Sequence, residues 1–282
     1  RLNMQPLAGN RVEPARLIVG VEQNGEARAY PLQFIGYHHQ VRDSVGGRPV
    51  LVSYCTVCRT GRVFDPIVNG VEERFRLVGM DHFNAMFEDA RTKSWWRQAT
   101  GVAVTGRLKG TVLAEIPSRQ MSLSQWMTLY PNSLIMQADT LFSDRYPTSY
   151  AYETGESRSA LTGTDTVSWA DKSWVVGISI NGQSRAYDWN ALRRERVISD
   201  VVGEQPLLLA LAADGASYAA FARPDSATRF TMRGDSLLAA GRAYALDGAG
   251  ARDTLRRLAA SQEFWHSWRT FQPTTSRYPS NP

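Results

Sequence analysis

Apolar residues alternate with polar ones in short runs along this chain, and residues typical of tight turns separate the runs. Asn24-Gly25 lies between two such runs, and Asn181-Gly182 lies between two more. Both central residues of a two-residue hairpin turn need a positive φ, which Asn and Gly adopt at little cost. The pattern therefore predicts two β-hairpins, whose second strands end near Tyr30 and Tyr187.

The two hairpins belong to a longer internal repeat. Residues 17–66 align without a gap with the residues 157 positions later in the chain. The next turn also recurs, in that Asp43, Gly46 and Pro49 return as Asp200, Gly203 and Pro206. The strand after that turn reads PVLVSY in the first copy and PLLLAL in the second, which is typical of a strand buried on both faces. We interpret the repeat as a duplication.

A short helix is predicted near the end of each copy. Ser122-Leu-Ser-Gln125 has the spacing of a capping box, and Pro131 ends the apolar segment that follows. A similar Trp-to-Pro segment, residues 268–273, closes the second copy. The predicted fold class is mainly β (β-rich α+β), with two tandem homologous repeats that are β-meander or barrel-like and carry short helices.

Three segments follow from this pattern. The first repeat is predicted over residues 1–136 and the second over residues 174–282. Residues 137–173 are rich in Ser, Thr, Asp and Tyr, have little apolar periodicity and are predicted to connect the repeats.

Composition narrows the class of protein. With 43% hydrophobic and 21% charged residues, the 282-residue chain has enough apolar side chains for a packed core. The formal charge of +5 is dispersed along the chain as arginine, which argues against nucleic-acid binding.

No apolar run approaches the roughly 18 residues that span a bilayer, so no transmembrane segment is predicted. The chain begins at Arg1, so we expect that an N-terminal signal or anchor has been removed.

The two copies differ at every reactive side chain of the aligned window. In the second copy His38, His39, Cys55 and Cys58 are replaced by Glu195, Arg196, Ala212 and Gly215. Scaffold residues are needed in both copies, whereas residues that do chemistry are needed only where the chemistry occurs. This difference predicts a functional site in the first copy, with sequence drift as the alternative.

Cys55-Thr-Val-Cys58 follows a buried strand and precedes another, which is the arrangement of a metal-binding knuckle. Two thiolates leave a metal site incomplete, so His38 is the predicted third ligand, with His39 and His82 as further candidates. Copper or zinc suits such a ligand set, and Met80 or Met86 is a conceivable weak ligand. A thiol-redox pair, a plain disulfide and two buried thiols are the alternatives.

A second unusual stretch, residues 81–98, is present mainly in the first copy. Polar residues alternate there with aromatic ones, a composition suited to a pocket. The candidate pocket residues are Asn84, Asp89, Thr92, Ser94, Trp96 and Gln98, together with Asp43 from the shared turn. The alternative is a β-hairpin with a buried tryptophan.

These motifs resemble the bacterial and archaeal family of unknown function DUF3179. The matching stretches are Arg28-Ala-Tyr-Pro31, Tyr37-His-His-Gln-Val-Arg-Asp43, Tyr54-Cys-Thr-Val-Cys-Arg59 and the polar positions of residues 83–98. The resemblance implies that His38, rather than His39, holds the family's histidine position and that Cys55 and Cys58 hold its cysteine pair. It also implies an extracytoplasmic location, periplasmic or attached to a membrane surface. It brings no reaction with it.

The chain departs from the family pattern at three positions. The proline and glycine of the family's cysteine motif are Thr56 and Arg59 here, and the glycine before Ser94 is Lys93. A left-handed backbone is more costly for Arg59 than for glycine.

Two functions remain open at this point. The first is an extracytoplasmic protein whose first repeat carries a metal-binding or thiol-redox site. The second is a non-enzymatic accessory or structural subunit of a membrane-associated complex, for example one that transfers electrons. Standard hydrolase and nucleotide-binding motifs are missing, and the sequence leaves open whether the protein is an enzyme. Cys55 acting as a nucleophile with His38 as its base is a third, weaker hypothesis.

Overall fold

The computed structural model describes residues 2–279 as several small β-sheets with a few short helices, which confirms the β-rich fold class. The predicted barrel-like closure is wrong for the described residues, because every sheet is open and its two outer strands have one neighbour each.

Residues 2–136, called the first half below, contain fourteen strands. They are β1 (Met4–Gln5), β2 (Leu17–Gln23), β3 (Glu26–Pro31), β4 (Gln40–Val45), β5 (Arg48–Cys55), β6 (Thr60–Phe64), β7 (Ile67–Val68), β8 (Val71–Glu72), β9 (Phe75–Asp81), β10 (Asn84–Asp89), β11 (Trp95–Arg97), β12 (Ala103–Thr105), β13 (Ser118–Ser122) and β14 (Leu134–Met136).

Residues 174–279, called the second half, contain the remaining strands of the described chain. They are β15 (Trp174–Ile180), β16 (Gln183–Asp188), β17 (Val197–Val202), β18 (Gln205–Leu211), β19 (Tyr218–Ala222), β20 (Thr231–Arg233), β21 (Ser236–Ala239), β22 (Arg242–Tyr244), β23 (Arg257–Leu258), β24 (Ser261–Phe264) and β25 (Ser276–Tyr278). The α-helices are α1 (Leu32–His38), α2 (Leu123–Leu129), α3 (Ala151–Thr154), α4 (Trp189–Glu195) and α5 (Trp265–Phe271). Two 3-10 turns cover Leu7–Gly9 and Thr140–Phe142.

The predicted hairpins and the first predicted helix are confirmed. Asn24 and Gly25 turn between β2 and β3 with φ of 51° and 79°, and Asn181 and Gly182 do the same between β15 and β16. Ser122 caps α2, because its side chain accepts a hydrogen bond from the backbone N–H three residues later.

Both halves follow the same order of elements. In each, a hairpin leads into a short helix and then into an antiparallel meander, which is β4-β5-β6 in the first half and β17-β18-β19 in the second. The hairpin sheet has the order β14-β3-β2-β13, extended by β1, in the first half and β25-β16-β15-β24 in the second. β14 runs parallel to β3, and β25 runs parallel to β16. Common ancestry of the halves stays a prediction.

The two halves are packed together through equivalent strands. β6 contacts β24, and β13 contacts β19. By position, β6 corresponds to β19 and β13 corresponds to β24, so each half presents the same pair of strands to the other. The end of each meander therefore lies against the strand that precedes the last helix of the opposite half.

The predicted connection, residues 137–173, packs against the first half. The buried carboxylate of Glu153 in α3 forms an ion pair with Arg16 at 2.6 Å and accepts the backbone N–H of Leu17 at 2.6 Å. This segment therefore helps to hold the start of β2. Where the repeats begin and end stays a prediction.

Cys55 and Cys58 lie in an apolar cluster of their own, apart from the clusters around the two hairpin sheets. Its other buried members come mainly from β5, β6 and the sheet β9–β12 and are Leu51, Phe64, Val68, Phe75, Ala85, Phe87, Trp96, Ala103 and Leu113. The sheet β9–β12 thus covers the cysteine motif, and the sheet β20–β22 contributes to the cluster around the equivalent Ala212 in the second half.

Candidate functional site

The cysteine motif forms the turn between β5 and β6. Cys55 is the last residue of β5 and pairs with Thr60, the first residue of β6. The predicted strand–turn–strand arrangement is therefore confirmed, and the motif does not lie at a helix N-terminus.

The two thiols are free and buried. The hydrogen bond from Cys58 is the main cause that lowers the pKa of Cys55, and the backbone N–H groups of Ala85, Cys58 and Val57 lower it further, against the effect of burial. The same hydrogen bond and burial raise the pKa of Cys58. Cys55 is therefore the thiol that ionises first, while Cys58 keeps its proton.

A strained hairpin turn covers Cys55 from the first half. His82 and Phe83 connect β9 to β10 with φ of 49° and 67°, a left-handed conformation that is costly for bulky residues. The Phe83 carbonyl accepts a hydrogen bond from Cys55 Sγ at 3.5 Å, and the Phe83 ring is 57% exposed. This turn is the exposed part of the protein that touches the reactive thiol.

The second half covers the motif from the other side. The backbone N–H of Phe264 donates to the Cys58 carbonyl at 2.9 Å. The His266 ring contacts the Val57 carbonyl through Nε2 at 3.1 Å, and burial lowers the pKa of this histidine. Ser267 Oγ lies 3.4 Å from the hydroxyl of Thr60, the residue that follows the cysteine turn. Residues of the second half, which has no cysteines, thus complete the surroundings of the cysteine turn in the first half.

Arg59 occupies the position of the family's glycine and is fully buried. Its left-handed φ of 57° is held in place by hydrogen bonds from the guanidinium to the carbonyls of Tyr152 and Glu153 and to the side chain of Gln262. The guanidinium also lies 3.6 Å from the centroid of the Trp174 ring. The departure from the family pattern therefore ties the cysteine turn to α3 and to the second half, and the turn itself is intact.

The structure does not bring His38 together with the cysteines. Its Nε2 is hydrogen-bonded to the Tyr146 hydroxyl at 2.7 Å, and its ring packs edge-on against Phe142. Among residues 2–279 no group of three or more His, Cys, Asp or Glu side chains is placed to hold a metal ion. The predicted ligand set of His38 with Cys55 and Cys58 is therefore not assembled.

The two histidines of the aligned window, His38 and His39, have counterparts that make similar contacts. Glu195, at the position of His38, accepts a hydrogen bond from the Tyr278 hydroxyl at 2.9 Å. His39 contacts the Tyr54 carbonyl through Nδ1 at 3.3 Å, and Arg196 donates to the equivalent carbonyl of Leu211 at 2.8 Å. Glu195 and Arg196 thus preserve hydrogen bonds at the C-terminal end of the short helix. Within the aligned window, the cysteines are the chemical difference that remains between the halves.

The other candidate ligands lie in different surroundings. The His82 ring is exposed and is hydrogen-bonded to Asp81 at 2.6 Å. Met80 is 67% exposed, whereas Met86 is buried in β10.

Most of the candidate pocket residues organise the turn between β10 and β11. Asp89 is fully buried and accepts hydrogen bonds from the Thr92 and Ser94 backbones, the Thr92 hydroxyl and the Trp96 indole, at 2.5–3.1 Å. The alternative interpretation, a hairpin with a buried tryptophan, describes this stretch. Asp43 accepts from the Tyr30 hydroxyl at 2.9 Å, as Asp200 does from Tyr187 at 3.0 Å in the second half.

Asn84 and Gln98 do reach the cysteine motif. The Asn84 amide donates to Gln98 at 2.9 Å, and Gln98 in turn donates to the Thr60 carbonyl at 2.9 Å. These two amides connect the sheet β9–β12 to the first residue of β6, beside the cysteine turn.

The sequence interpretation missed the residues that the second half and α3 contribute to the site. They are His266 and Ser267 from α5, Glu263 from β24 and Tyr152 from α3, whose hydroxyl donates to the Thr56 carbonyl at 3.0 Å. One signal was available, because His266 is the one histidine after residue 82.

Comparison with known proteins identifies the family of the chain but no individual related protein. No helix in the described part of the chain has both the length and the apolar composition needed to cross a bilayer. Neither a curated protein nor a solved structure matches the chain. The model of one family, described as a protein of unknown function (DUF3179), matches residues 3–275. The chain therefore belongs to the DUF3179 family.

Proposed function

We propose that Cys55 and Cys58 form a thiol–disulfide redox centre, in which Cys55 is the attacking thiolate and Cys58 the resolving thiol. The observation that carries the proposal is the pair of free, buried thiols in one turn, with Cys55 at the end of β5 and Cys58 three residues later. Hydrogen bonding from Cys58 and from nearby backbone N–H groups lowers the pKa of Cys55. Donors of this kind stabilise a thiolate, which is the nucleophile in thiol–disulfide exchange. Cys58 lies in the same turn, three residues after Cys55.

The reaction has two balanced steps. The Cys55 thiolate attacks a disulfide RSSR, which forms a bond between Cys55 Sγ and one RS group and releases the other as RS⁻. Cys58 then loses its proton and attacks Cys55 Sγ, which forms the Cys55–Cys58 disulfide and releases the second RS⁻. The protein dithiol is oxidised and the external disulfide is reduced.

The covering residues support a selective reaction. Cys55 is only 3% exposed, so a disulfide reaches it only if the His82–Phe83 turn moves aside. The extracytoplasmic location and a membrane-associated partner remain predictions, and the proposed chemistry depends on neither.

The test is a redox titration of the purified protein. Wild type, Cys55→Ser and Cys58→Ser are equilibrated with mixtures of reduced and oxidised glutathione, quenched with acid, alkylated and weighed by mass spectrometry. We expect wild type to form one intramolecular disulfide reversibly, and Cys58→Ser to stop at a mixed disulfide on Cys55. A wild-type protein that keeps two free thiols in every mixture would overturn the proposal.

Elemental analysis of the same samples tests whether these thiols bind a metal ion instead. The described residues supply two sulfur ligands but no third His, Cys, Asp or Glu beside them, whereas a closed structural zinc site needs four ligands. Copper or zinc bound in a one-to-one ratio by wild type, and absent from Cys55→Ser, would replace the redox proposal with metal binding.

A further inference from the structure

Two consecutive carbonyls of the cysteine turn are bonded to side chains of distant segments. The Tyr152 hydroxyl, in α3, donates to the Thr56 carbonyl at 3.0 Å. His266, in α5, places its Nε2 at 3.1 Å from the Val57 carbonyl. Because a carbonyl oxygen can only accept a hydrogen bond, Nε2 carries the proton of this contact. Both carbonyls are therefore held by donors from outside the turn.

These two contacts also fix the direction of two N–H groups. The peptide bonds of the cysteine turn are trans. In a planar trans peptide, the C=O group and the N–H group of the next residue point in opposite directions. With the two carbonyls turned out toward α3 and α5, the N–H groups of Val57 and Cys58 therefore point the other way, into the turn.

The pKa of Cys55 agrees with this orientation of the peptides. The hydrogen bond from the Cys58 thiol is the largest cause of its lowered pKa, and the backbone N–H groups of Cys58 and Val57 lower it further. N–H groups that point at a thiolate stabilise it, and the thiolate is the form that attacks a disulfide. The two donors outside the turn thus influence a sulfur that they do not contact.

Tyr152 and His266 are themselves held in place. The Tyr152 carbonyl accepts from the Arg59 guanidinium at 2.8 Å, and its hydroxyl is hydrogen-bonded to that of Tyr54 at 3.0 Å. The backbone N–H of His266 donates to the Asp171 carbonyl at 2.8 Å, and burial lowers the pKa of the His266 ring. The ring is therefore uncharged near neutral pH, and it donates from Nε2 as a neutral group.

The second half offers a comparison, because its equivalent turn, residues 212–215, contains no cysteine. By the register of β13 and β24 on their hairpins, the residue of the first half that corresponds to His266 is Ser124, which is exposed. The imidazole is thus present beside the turn that carries the thiols, and its counterpart in the other half is a serine.

We propose that Tyr152 and His266 are positioning residues of the redox centre, which hold the carbonyls of the cysteine turn outward so that its N–H groups face the Cys55 sulfur. The inference rests on the proposed redox function and gives neither residue a direct part in the reaction. Loss of either donor frees one peptide to rotate, so the thiolate loses an N–H partner. Cys55 is then less ionised at a given pH but more nucleophilic once ionised, because the nucleophilicity of a thiolate rises with its basicity.

The test measures the attack of Cys55 on dithiobis(nitrobenzoate), which forms a mixed disulfide and releases one coloured thionitrobenzoate. Stopped-flow absorbance gives the rate of this release from about pH 6 to about pH 10 for wild type, Tyr152→Phe, His266→Leu and His266→Gln. His266→Gln keeps a side-chain N–H that can donate to the turn. Tyr146→Phe is the matched control, since it removes a tyrosine hydroxyl that is bonded to His38 at 2.7 Å, away from the cysteine turn.

We expect Tyr152→Phe and His266→Leu to react roughly threefold more slowly than wild type at low pH, because a roughly tenfold loss of thiolate is offset about threefold by its higher nucleophilicity. At high pH, where Cys55 is fully ionised, both variants should match or exceed wild type. His266→Gln and Tyr146→Phe should follow the wild-type profile.

The pH dependence separates positioning from a change of access. The His266 ring packs edge-on against Phe83 with 6.2 Å between ring centroids, so a variant that only loosens this cover changes the rate by the same factor at every pH. A constant ratio to wild type, or equal slowing of His266→Gln and His266→Leu, would overturn the positioning role. Wild type that keeps two free thiols in every glutathione mixture would instead overturn the redox centre, whatever the pH profiles show.

Discussion

Gln120 and Gln262 hydrogen-bond to each other across the boundary between the halves, Nε2 to Oε1 at 2.6 Å. Each lies in the strand that precedes the last helix of its half, so the bond joins equivalent positions. Gln262 Oε1 also accepts from Arg59 Nε at 3.2 Å. This single amide therefore connects both halves to the cysteine turn.

Replacing Gln262 with Ala should destabilise the whole protein. The substitution leaves buried donors of Gln120 and Arg59 without an acceptor, and each such loss costs about 1–3 kcal/mol. Urea unfolding should show one transition at a lower midpoint. Gln33→Ala is the control, because its amide bonds the Pro147 carbonyl at an exposed site. Equal midpoints for the two variants would contradict the role given to Gln262.

His38→Gln should leave the thiol chemistry intact. His38 is bonded to Tyr146 and not to either sulfur, so the variant should lose about 1 kcal/mol of stability at most. The midpoint of the glutathione titration and the thermal unfolding temperature are the measurements. A changed thiol equilibrium with an unchanged unfolding temperature would return His38 to the functional site.

Cys58→Ala should raise the pKa of Cys55. The hydrogen bond from Cys58 is the largest cause of its lowered pKa, and burial, which remains, acts in the opposite direction. Ultraviolet absorbance of the thiolate against pH measures the change, and Cys55→Ala gives the background. A Cys55 titration at the same pH in wild type and Cys58→Ala would contradict the prediction.

The lowered pKa of Cys55 also predicts how the stability of the reduced protein depends on pH. Because the folded pKa of Cys55 lies below its unfolded value of about 8.5, unfolding takes up a proton between those two values. The free energy of unfolding should therefore rise with pH up to the unfolded value. Above it the free energy should fall, because Cys58 ionises only in the unfolded chain. Chemical unfolding of reduced wild type, compared with Cys55→Ala, checks the rising part.

Phe83→Gly should speed the alkylation of Cys55. Glycine adopts the left-handed conformation at this position without strain, and it removes the exposed Phe83 ring beside the carbonyl that Cys55 contacts. His82→Gly relieves the same kind of strain but keeps the Phe83 ring, so it should react nearly as slowly as wild type. Iodoacetamide labelling followed by mass spectrometry measures both rates. Equal acceleration in the two variants would show that backbone strain, not the ring, limits access.

The sequence predicted features whose causes are local. Asn24-Gly25 specifies its turn by its own backbone preference, and Ser122 caps a helix three residues away. The partners of Asp89 all lie within seven residues, so the hairpin alternative was also available from the sequence. The cysteine turn between two strands was predictable for the same reason.

The sequence did not predict the partners that arrive from distant parts of the chain. His38 meets Tyr146 across 108 positions, and His266 meets Val57 across 209. Nothing in the local pattern around either histidine records such a contact, because it depends on how the halves pack. Proximity along the sequence favoured His38 for the site, whereas packing placed His266 there.

The backbone N–H of Phe264, in the second half, donates to the carbonyl of Cys58, in the first half. The exposure of the thiols therefore depends on the packing between the two halves. Opening of the boundary between the halves removes one cover of Cys58, so the labelling rate of Cys58 should rise when the halves separate, much as amide exchange reports local unfolding. A molecule whose halves have partly separated would expose its two thiols before the rest of the fold is lost.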